Sequence, residues 1–289
     1  MNYLLPPPQD TQRLVAQALA EDLTPLGDLS STVLPGDQIA VASWVARDAG
    51  VLAGTYCVEE VVRQLGDQLT LTWEYDEGDP FQANTNLGSI SGRLSDIVTA
   101  ERVSLNFMSH LSGIATRVSA WVTVAADRVQ VVDTRKTLPG YRSLQKAAVR
   151  AGGGRNHRGN LSDWIMLKDN HLVGVDIATA VRRANELWPG RVVEVETETT
   201  AQAITALEAG ADIIMLDNFK PEEIKSAAVE LTEVAKDKGI TRPLIEASGG
   251  ITLELLDEVA QADIDIVSSS SLTAGANPVD IGLDIRLSS

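Results

Sequence analysis

Residues 191–218 read RVVEVETETTAQAITALEAGADIIMLDN, a pattern of two short apolar strands separated by a helical stretch. The first strand ends near Glu196 and the second ends at Asp217. Strands of this length that are joined by a helix are typical of a parallel sheet, because a parallel connection needs a long crossover. The stretch therefore predicts one βαβ unit.

The same alternation recurs from Val129 onward, in six apolar segments that begin roughly 20 to 35 residues apart. The segments are VQVVDT, DWIMLKD, RVVEVET, ADIIMLDN, PLIEASGG and DIDIVSSS. Six such units fit either a doubly wound sheet or a TIM-like barrel that lacks two of the usual eight. Before about residue 126 the pattern is different, with helices predicted from Thr11, in YCVEEVVRQL and from Thr99 through Val124, and strands in QIAVASWV and QLTLTWEY. This N-terminal part predicts an α+β unit with some antiparallel sheet.

Polar residues at the strand ends favour the barrel, because a barrel brings the carboxyl ends of its strands together in one ring. These residues are Arg135, Lys136, Lys168, Glu196, Asp217, Ser248 with Gly249 and Gly250, and Ser268, Ser269 and Ser270. The glycine and serine clusters near the last two strands fit a phosphate cradle made of backbone N–H groups. Taken singly, a cluster of this kind is most often a turn or a helix cap.

The charge of the chain is unevenly distributed. The formal net charge is -16, but the segment from residue 133 to 171 has eight Lys or Arg against three Asp, which makes it +5 and the remainder -21. A solvated helix face accounts for Arg142, Lys146 and Arg150. Residues 151–160, AGGGRNHRGN, suggest an anion site in which glycines admit backbone N–H groups and His157 and Arg158 supply charge. The acidic total argues against nucleic acid as a partner.

Two carboxylates on neighbouring strands, Glu196 and Asp217, suit Mg²⁺ that arrives with a substrate phosphate. A zinc site is improbable with three histidines and one cysteine in the chain. Each charged strand end also has a plain structural explanation, such as a surface lysine or a helix cap. However, charges at the ends of strands buried on both faces need partners or a ligand.

A long ordered motif, DTRKTLPGYRSLQKAAVRAGGGRNHRGNLSDWIMLKDNH at residues 133–171, resembles the quinolinate phosphoribosyltransferase family, also called nicotinate-nucleotide pyrophosphorylase (carboxylating). Further matches are EDLTPLGDLSS, ARDAGVLAG, ERVSLNFMSHLSGIAT, VEVE, DIIMLDN, EASGGI, and SLT followed by DIGLDIRL. The resemblance therefore covers nearly the whole chain.

The resemblance implies an N-terminal α+β sandwich domain over residues 1–126, completed by a C-terminal strand within 276–289, and an incomplete TIM-like α/β barrel over 127–275. It also implies a homodimer in which Arg102 reaches the active site of the partner subunit. We further expect a cytoplasmic protein with no membrane segment, since no stretch reaches the roughly 18 apolar residues that a span needs.

The resemblance assigns roles to individual residues. Quinolinate would contact Arg135, His157, Arg158 and Lys168, with Thr137 in the same substrate site. Pyrophosphate would face Lys136, Lys168 and Asn170. Glu196 and Asp217 would hold the ribose hydroxyls and Mg²⁺, and the ribose phosphate would lie on Ser248, Gly249 and Gly250 and on Ser268, Ser269 and Ser270. Lys136, Lys168, Glu196 and Asp217 would be the catalytic residues.

The implied reaction transfers the phosphoribosyl group of phosphoribosyl pyrophosphate to quinolinate with loss of CO₂, giving nicotinate mononucleotide and pyrophosphate in de novo NAD biosynthesis. The chain departs from the family pattern at Leu144, Gln145, Ser270 and Ala274, and Ser270 stands where a glycine is usual. Three alternatives stay open: a paralogue of the molybdenum-associated pyrophosphorylase type, a barrel aldolase with a Schiff base on Lys168, and a non-catalytic ligand sensor.

Overall fold

The structure is a computed structural model that describes residues 4–66 and 68–288. It divides into two compact units. The first unit comprises Met1–Ser119, Thr137–Gly153 and Leu272–Ser289, and the second comprises Ala120–Lys136 and Gly154–Ser271. The sequence-based domain boundaries at 126/127 and 275/276 stay predictions.

The described strands and helices follow one another in the following order. The strands are β1 (Ile39–Ala46), β2 (Gly50–Val51), β3 (Thr70–Trp73), β4 (Pro80–Phe81), β5 (Thr85–Arg93), β6 (Gln130–Val132), β7 (Ile165–Leu167), β8 (Val193–Thr197), β9 (Ile213–Asp217), β10 (Leu244–Ser248), β11 (Ile266–Ser268) and β12 (Ile281–Leu287). The α-helices are α1 (Pro8–Leu23), α2 (Thr55–Leu65), α3 (Leu94–Ala125), α4 (Arg142–Ala151), α5 (Ile177–Leu187), α6 (Thr200–Ala209), α7 (Pro221–Lys238), α8 (Leu253–Val259) and α9 (Ser271–Ala274). Short 3₁₀ turns cover Ser31–Val33 and Asp169–His171.

The first unit contains an antiparallel sheet in the order β12-β1-β5-β3. The C-terminal strand β12 pairs with β1, with Ala46 opposite Ile281. Strand β5, sequence TNLGSISGR, was not predicted, because glycine, serine and asparagine have low strand propensity. It nevertheless lies between β1 and β3, so pairing on both edges overrides its composition.

The second unit contains a six-stranded parallel sheet in the order β6-β11-β10-β9-β8-β7. All six predicted strands are present, which confirms the incomplete α/β barrel. Their apolar runs are buried: Ile214, Leu216, Ile245, Ala247 and Val267 are fully inaccessible to solvent. Burial on both faces explains why these strands read as continuous apolar segments rather than as alternating ones.

Local sequence signals set the helix ends between these strands. The side chain of Thr199 accepts a hydrogen bond from the backbone N–H of Gln202 and so caps α6, which ends at Gly210 with φ of 85°. Helix α7 begins with Pro221 and ends at Gly239, with φ of 66°. Proline at a helix start and glycine just past its end are the usual boundary residues. After each helix the next strand runs in the same direction as the one before, so the carboxyl ends of the strands lie together at one edge of the sheet.

Helix α4 corrects the interpretation of Arg142, Lys146 and Arg150 as a solvated face, because Lys146 is only 6% exposed. The guanidinium of Arg150 donates to the carbonyl of Leu5 at 3.0 Å, and Arg142 Nε donates to Thr137 Oγ1 at 3.0 Å. The basic side chains of α4 therefore take part in the packing of the first unit.

Gln145, which departs from the family pattern, is fully buried on α4. Its Oε1 accepts from the backbone N–H of Leu138 at 3.0 Å, and its Nε2 lies 2.9 Å from Nε2 of His110. Burial lowers the pKa of His110 and so favours the neutral ring, which can accept from an amide N–H. A glutamine supplies the donor and the acceptor that this position needs.

Two glycines of the run after α4 have a packing role, while the anion-binding role expected of the run from sequence stays a prediction. A Cβ on Gly152 would overlap the backbone carbonyl of Ala115 and the side chain of Val118 on α3. Gly153 has φ of 86°, the left-handed conformation that commonly follows a helix end. Gly152 therefore lets α4 approach α3 closely, and Gly153 allows the chain to turn away after the end of α4.

Replacement of Gly152 by alanine is expected to destabilise the fold by about 1–3 kcal/mol, because the added methyl group meets backbone that cannot rotate away. Urea unfolding measures the loss. Gly36→Ala is the matched control, since nothing lies within 4 Å of a Cβ there and its φ is not positive. Equal stability of the two variants would contradict the close approach of α4 and α3.

Within residues 4–66 and 68–288, none of the helices has both the length and the apolarity needed to cross a bilayer.

Candidate active site

A cleft of about 290 Å³ lies at the carboxyl ends of the parallel strands of the second unit. Parallel register places these ends side by side, with Ser248 opposite Asp217 and Ser268 opposite Val132. The lining residues are Thr134, Arg135, Lys136, His157, Arg158, Met166, Lys168, Glu196, Met215, Asp217, Glu246, Ser248 and Ser268. Eleven of these thirteen residues have polar or charged side chains, and the size of the cleft suits small molecules.

The segment after α4 reaches the cleft by pairing with β6. Val132 forms a parallel bridge with Arg155, whose N–H donates to the carbonyl of Val131 at 2.9 Å. The buried carboxylate of Asp133 accepts from the N–H of His157 at 2.9 Å and from Nδ2 of Asn156 at 2.7 Å. These bonds fix the backbone that presents His157 and Arg158 to the cleft.

His157 is buried between two carboxylates. Its Nε2 lies 3.1 Å from Oε2 of Glu246 and 3.4 Å from Oε2 of Glu194, and both glutamates are fully buried. Burial alone would lower the pKa of His157, but the hydrogen bonds and negative charges of Glu194 and Glu246 outweigh it and raise that pKa to about 9. The ring is therefore an imidazolium at neutral pH.

Two arginines add positive charge to the same wall. Burial and the neighbouring charge of Arg135 lower the pKa of Arg158, although a guanidinium stays protonated at neutral pH. Like charges this close repel each other, and an anion between them relieves that repulsion. Arg135, His157 and Arg158 thus form a cationic wall that suits an acceptor with carboxylate groups.

Lysine and carboxylate groups lie at the ends of the middle strands. Lys168 Nζ pairs with Glu196 Oε2, and the Lys168 side chain is 38% exposed. Asp217 ends β9, and its Oδ2 accepts from Nδ2 of Asn218 at 2.6 Å. The cation and both carboxylates stay accessible enough to meet a ligand.

Small residues follow the last two strands. Gly249 has φ of 81°, and a Cβ there would overlap the backbone N–H of Asn218. Ser268 Oγ donates to Oε1 of Glu246 at 2.5 Å and lies 2.9 Å from Ser248 Oγ. The hydroxyls of Ser248 and Ser268 thus lie together, just before the glycine turn at residues 249–250.

Nine of the residues named from sequence line the cleft: Arg135, Lys136, His157, Arg158, Lys168, Glu196, Asp217, Ser248 and Ser268. The others do not: Arg102, Thr137, Asn170, Gly249, Gly250, Ser269 and Ser270. Arg102 and Thr137 belong to the first unit, and Asn170 is exposed in a 3₁₀ turn. The structure locates these residues, and their roles stay predictions.

Sequence reasoning missed Thr134, Met166, Met215 and Glu246 in the lining, and Glu194 behind His157. A signal existed for the two glutamates, because each interrupts an apolar strand that is buried on both faces. A charge in that position needs a partner.

The donor set fits Mg²⁺. Glu196 and Asp217 offer carboxylate oxygens at neighbouring strand ends, beside the hydroxyl of Ser248, and Mg²⁺ takes few protein oxygens when substrate phosphates supply the rest. The groups of His157, Glu194 and Glu246 also lie close together, but a protonated imidazole there has no lone pair on Nε2 to offer a metal ion. Glu196 and Asp217 are thus the better candidates.

Comparison with known families matches both parts of the chain. Residues 28–112 match the N-terminal domain of quinolinate phosphoribosyl transferase, and residues 114–284 match its C-terminal domain. The chain belongs to the quinolinate phosphoribosyltransferase family. This membership confirms the resemblance of the 133–171 motif.

Individual members of the quinolinate phosphoribosyltransferase family agree. The probable nicotinate-nucleotide pyrophosphorylase [carboxylating] of Methanothermobacter thermautotrophicus is 38% identical, over 85% of this chain and 88% of its own. The Bacillus subtilis protein of the same name is 36% identical, over 100% and 96%. The structure of the nicotinate-nucleotide pyrophosphorylase from Francisella tularensis has a TM-score of 0.89 at 35% identity, covering 97% of each chain. These matches confirm the fold class.

Proposed function

We propose that the chain catalyses phosphoribosyl transfer from phosphoribosyl pyrophosphate to quinolinate, with decarboxylation to nicotinate mononucleotide, in NAD biosynthesis. The observation that carries the proposal is one cleft lined both by the cationic wall of Arg135, His157 and Arg158 and by the carboxylates of Glu196 and Asp217. Family membership supports it, since the curated relatives are carboxylating pyrophosphorylases. The molybdenum-associated alternative is not favoured.

The cationic wall suits the acceptor. Quinolinate carries two adjacent carboxylates, and two guanidinium groups and an imidazolium offer charge-assisted hydrogen bonds in fixed directions. Binding both carboxylates fixes the ring and presents its nitrogen toward the sugar. Nicotinate, which lacks one carboxylate, forms fewer of these contacts and binds less tightly.

Other residues that line the same cleft suit the donor. Glu196 and Asp217 accept hydrogen bonds from the ribose hydroxyls, and Lys136 and Lys168 face the pyrophosphate. Ser248, Ser268 and the glycine turn at 249–250 receive the ribose phosphate. Mg²⁺, held by Glu196 and Asp217, supplies charge neutralisation on the leaving pyrophosphate when it is bound.

The chain's own groups then stabilise the charges that develop. The ring nitrogen bonds to the anomeric carbon while the bond from that carbon to pyrophosphate breaks, and nearby carboxylates stabilise the cationic, oxocarbenium-like transition state. The ring nitrogen becomes cationic. The adjacent carboxylate leaves as CO₂, its electron pair stays on the ring carbon, and a proton from water replaces it.

The Lys168–Glu196 ion pair bears on the aldolase alternative. A Schiff base requires a neutral amine, whereas Lys168 is held as an ammonium group against a carboxylate. Borohydride in the presence of a carbonyl substrate should therefore leave the activity intact.

The test is incubation of the purified protein with quinolinate, phosphoribosyl pyrophosphate and Mg²⁺, with nicotinate in a parallel reaction. Equimolar CO₂ and nicotinate mononucleotide from quinolinate, lost when the metal is chelated, are the expected result. Absence of both products with a folded protein would sink the proposal. Binding of quinolinate without turnover would instead identify a ligand sensor.

We also propose that the enzyme is a cytoplasmic homodimer in which Arg102 serves the cleft of the partner subunit. Arg102 is exposed on α3 and lines a groove of the first unit together with Leu105, Asn106, Ser109 and His110. An exposed arginine on a concave surface can reach a carboxylate ligand that a second copy brings to it.

Co-expression of two inactive variants tests this arrangement. Arg102→Ala and Lys168→Ala are each expected to be nearly inactive alone, and their isolated mixed dimer should recover about half of the wild-type rate, because one of its two sites has both residues. Light scattering measures the dimer. Absence of recovery in an isolated mixed dimer would place Arg102 in the site of its own chain or in none.

A further inference from the structure

The buried cluster behind the cationic wall contains groups that the reaction described above does not use. Glu194 lies in β8 and Glu246 in β10, on non-adjacent strands, and both are fully buried. Their Oε2 atoms lie 3.4 and 3.1 Å from the same nitrogen, Nε2 of His157. Two carboxylates thus converge on one ring nitrogen.

Further contacts hold both carboxylates in place. Trp164 Nε1 donates to Glu194 Oε2 at 2.7 Å, and its ring packs edge-on against His157 with centroids 4.7 Å apart. Ser268 donates to the other oxygen of Glu246. Residues of β8, β10, β11 and the loop before β7 therefore fix the position of the imidazole ring.

A proton on His157 balances the charges of the cluster. Burial raises the pKa of Glu246, but Ser268 donates to Oε1 of that carboxylate and Nε2 of His157 lies within 3.4 Å of both glutamates, so the geometry favours the proton on the ring. Among the described residues, Oε1 of Glu194 is buried without a hydrogen-bond partner, so this carboxylate depends on nearby positive charge. His157 and Arg158 supply two positive charges against Glu194 and Glu246. With a neutral His157, the cluster would carry a net negative charge beneath a site for a dianionic acceptor.

We propose that Glu246 and Glu194 are positioning residues that hold His157 as an oriented imidazolium, so that the cleft wall binds the dicarboxylate acceptor. The inference rests on the proposed function and deepens it, since neither glutamate belongs to the substrate contacts described above. Glu246 and Glu194 act through the ring and not on the reacting atoms.

The pH dependence follows from the groups that face His157: Glu194, Glu246, the adjacent Arg158, and Asp133, which holds its backbone N–H. The raised pKa of about 9 keeps the charge on the ring through neutral pH and releases it above that value. Acceptor binding should therefore weaken as the pH rises through about 9. Replacement of Glu194 or Glu246 by glutamine should lower the pKa of His157, so that acceptor binding weakens at a lower pH.

The experiment is an NMR titration of histidine side chains in the full-length protein. The chain has three histidines, His110, His157 and His171, so the spectrum of a His157→Asn variant assigns the signal. Wild-type His157 should titrate near 9, and Glu246→Gln and Glu194→Gln should each move its midpoint down by about one unit or more. A wild-type midpoint near 6.5, or one that neither substitution moves, overturns the inference.

Steady-state kinetics form the second arm. For Glu246→Gln, KM for quinolinate should rise about threefold or more at pH 8.5 but stay nearly unchanged at pH 6.5, with KM for phosphoribosyl pyrophosphate unchanged. Glu208→Gln, an exposed carboxylate on α6, is the control for loss of one charge. Equal increases at both pH values would indicate a merely structural role and overturn the inference.

The two arms separate the failures. A wild-type protein without turnover refutes the proposed function, while the titration still decides whether the carboxylates hold the imidazolium. An active wild type whose variants keep its pH profile refutes the inference alone. The pH effect of Glu246→Gln must also disappear in the His157→Asn background, because the glutamate is proposed to act through that ring.

Discussion

Lys168→Ala should lower kcat/KM by about a hundredfold or more, which corresponds to about 3 kcal/mol of lost transition-state stabilisation. The ammonium group lies at the end of β7 and lines the cleft beside Glu196. In the proposed reaction it faces the position where negative charge grows as pyrophosphate leaves. A charge aimed at that position stabilises the transition state more than the bound substrates, so kcat falls and not only affinity.

The variant also leaves Glu196 without its cation. Glu196 is mostly buried, with a side chain 14% exposed, so loss of the partner costs some stability. Urea unfolding and kinetics must therefore be measured together. Lys168→Arg keeps the charge but changes its geometry, and it should recover part of the rate.

Lys238→Ala is the matched control for Lys168→Ala. Lys238 forms an ion pair with Glu208 at 2.5 Å, with both side chains exposed, in the same unit but outside the cleft. An exposed pair of this kind contributes less than about 1 kcal/mol, and its loss should leave kcat/KM unchanged. If Lys168→Ala were as active as Lys238→Ala, Lys168 would have no part in the mechanism.

The sequence predicts the barrel well because of what parallel strands require. A strand covered on both faces is largely apolar, as IML of β7 and IIML of β9 are, and such runs stand out against amphipathic helices. The charged residue that ends each run is equally conspicuous. Lys168, Glu196 and Asp217 could therefore be assigned to one edge of the sheet before any coordinates.

What the sequence could not predict depends on tertiary contacts. Strand β5 forms because two neighbours pair with it, and Gly152 is required because α3 passes close by. Lys146 belongs to a helix whose periodicity suggests an exposed face, yet the helix is packed there. Glu194 and Glu246 were hidden inside apolar strands, and only the position of His157 explains them.

Asp217→Asn should reduce kcat by about a hundredfold and raise the Mg²⁺ concentration needed for half-maximal rate. The amide keeps the size of the side chain and an oxygen that can still accept from Nδ2 of Asn218. It removes the negative charge that, in the proposed reaction, stabilises the donor's cationic transition state and binds the metal. The loss should therefore appear in kcat, and excess Mg²⁺ should restore only part of it.

Asp212→Asn separates this effect from any loss of charge on β9. Asp212 is exposed immediately before β9, at the end remote from the cleft, and its Oδ2 accepts from the N–H of Val193 at 2.7 Å. Asp212→Asn should leave kcat and the Mg²⁺ requirement unchanged, whereas Asp217→Asn changes both. The reason is that only Asp217 lies at the carboxyl end of β9, where it lines the cleft. A similar Mg²⁺ profile for both variants would mean that Glu196 holds the metal without Asp217. In that case the oxocarbenium-like transition state would also have to be stabilised by Glu196 alone, and Glu196→Gln would then abolish the activity that Asp217→Asn retained.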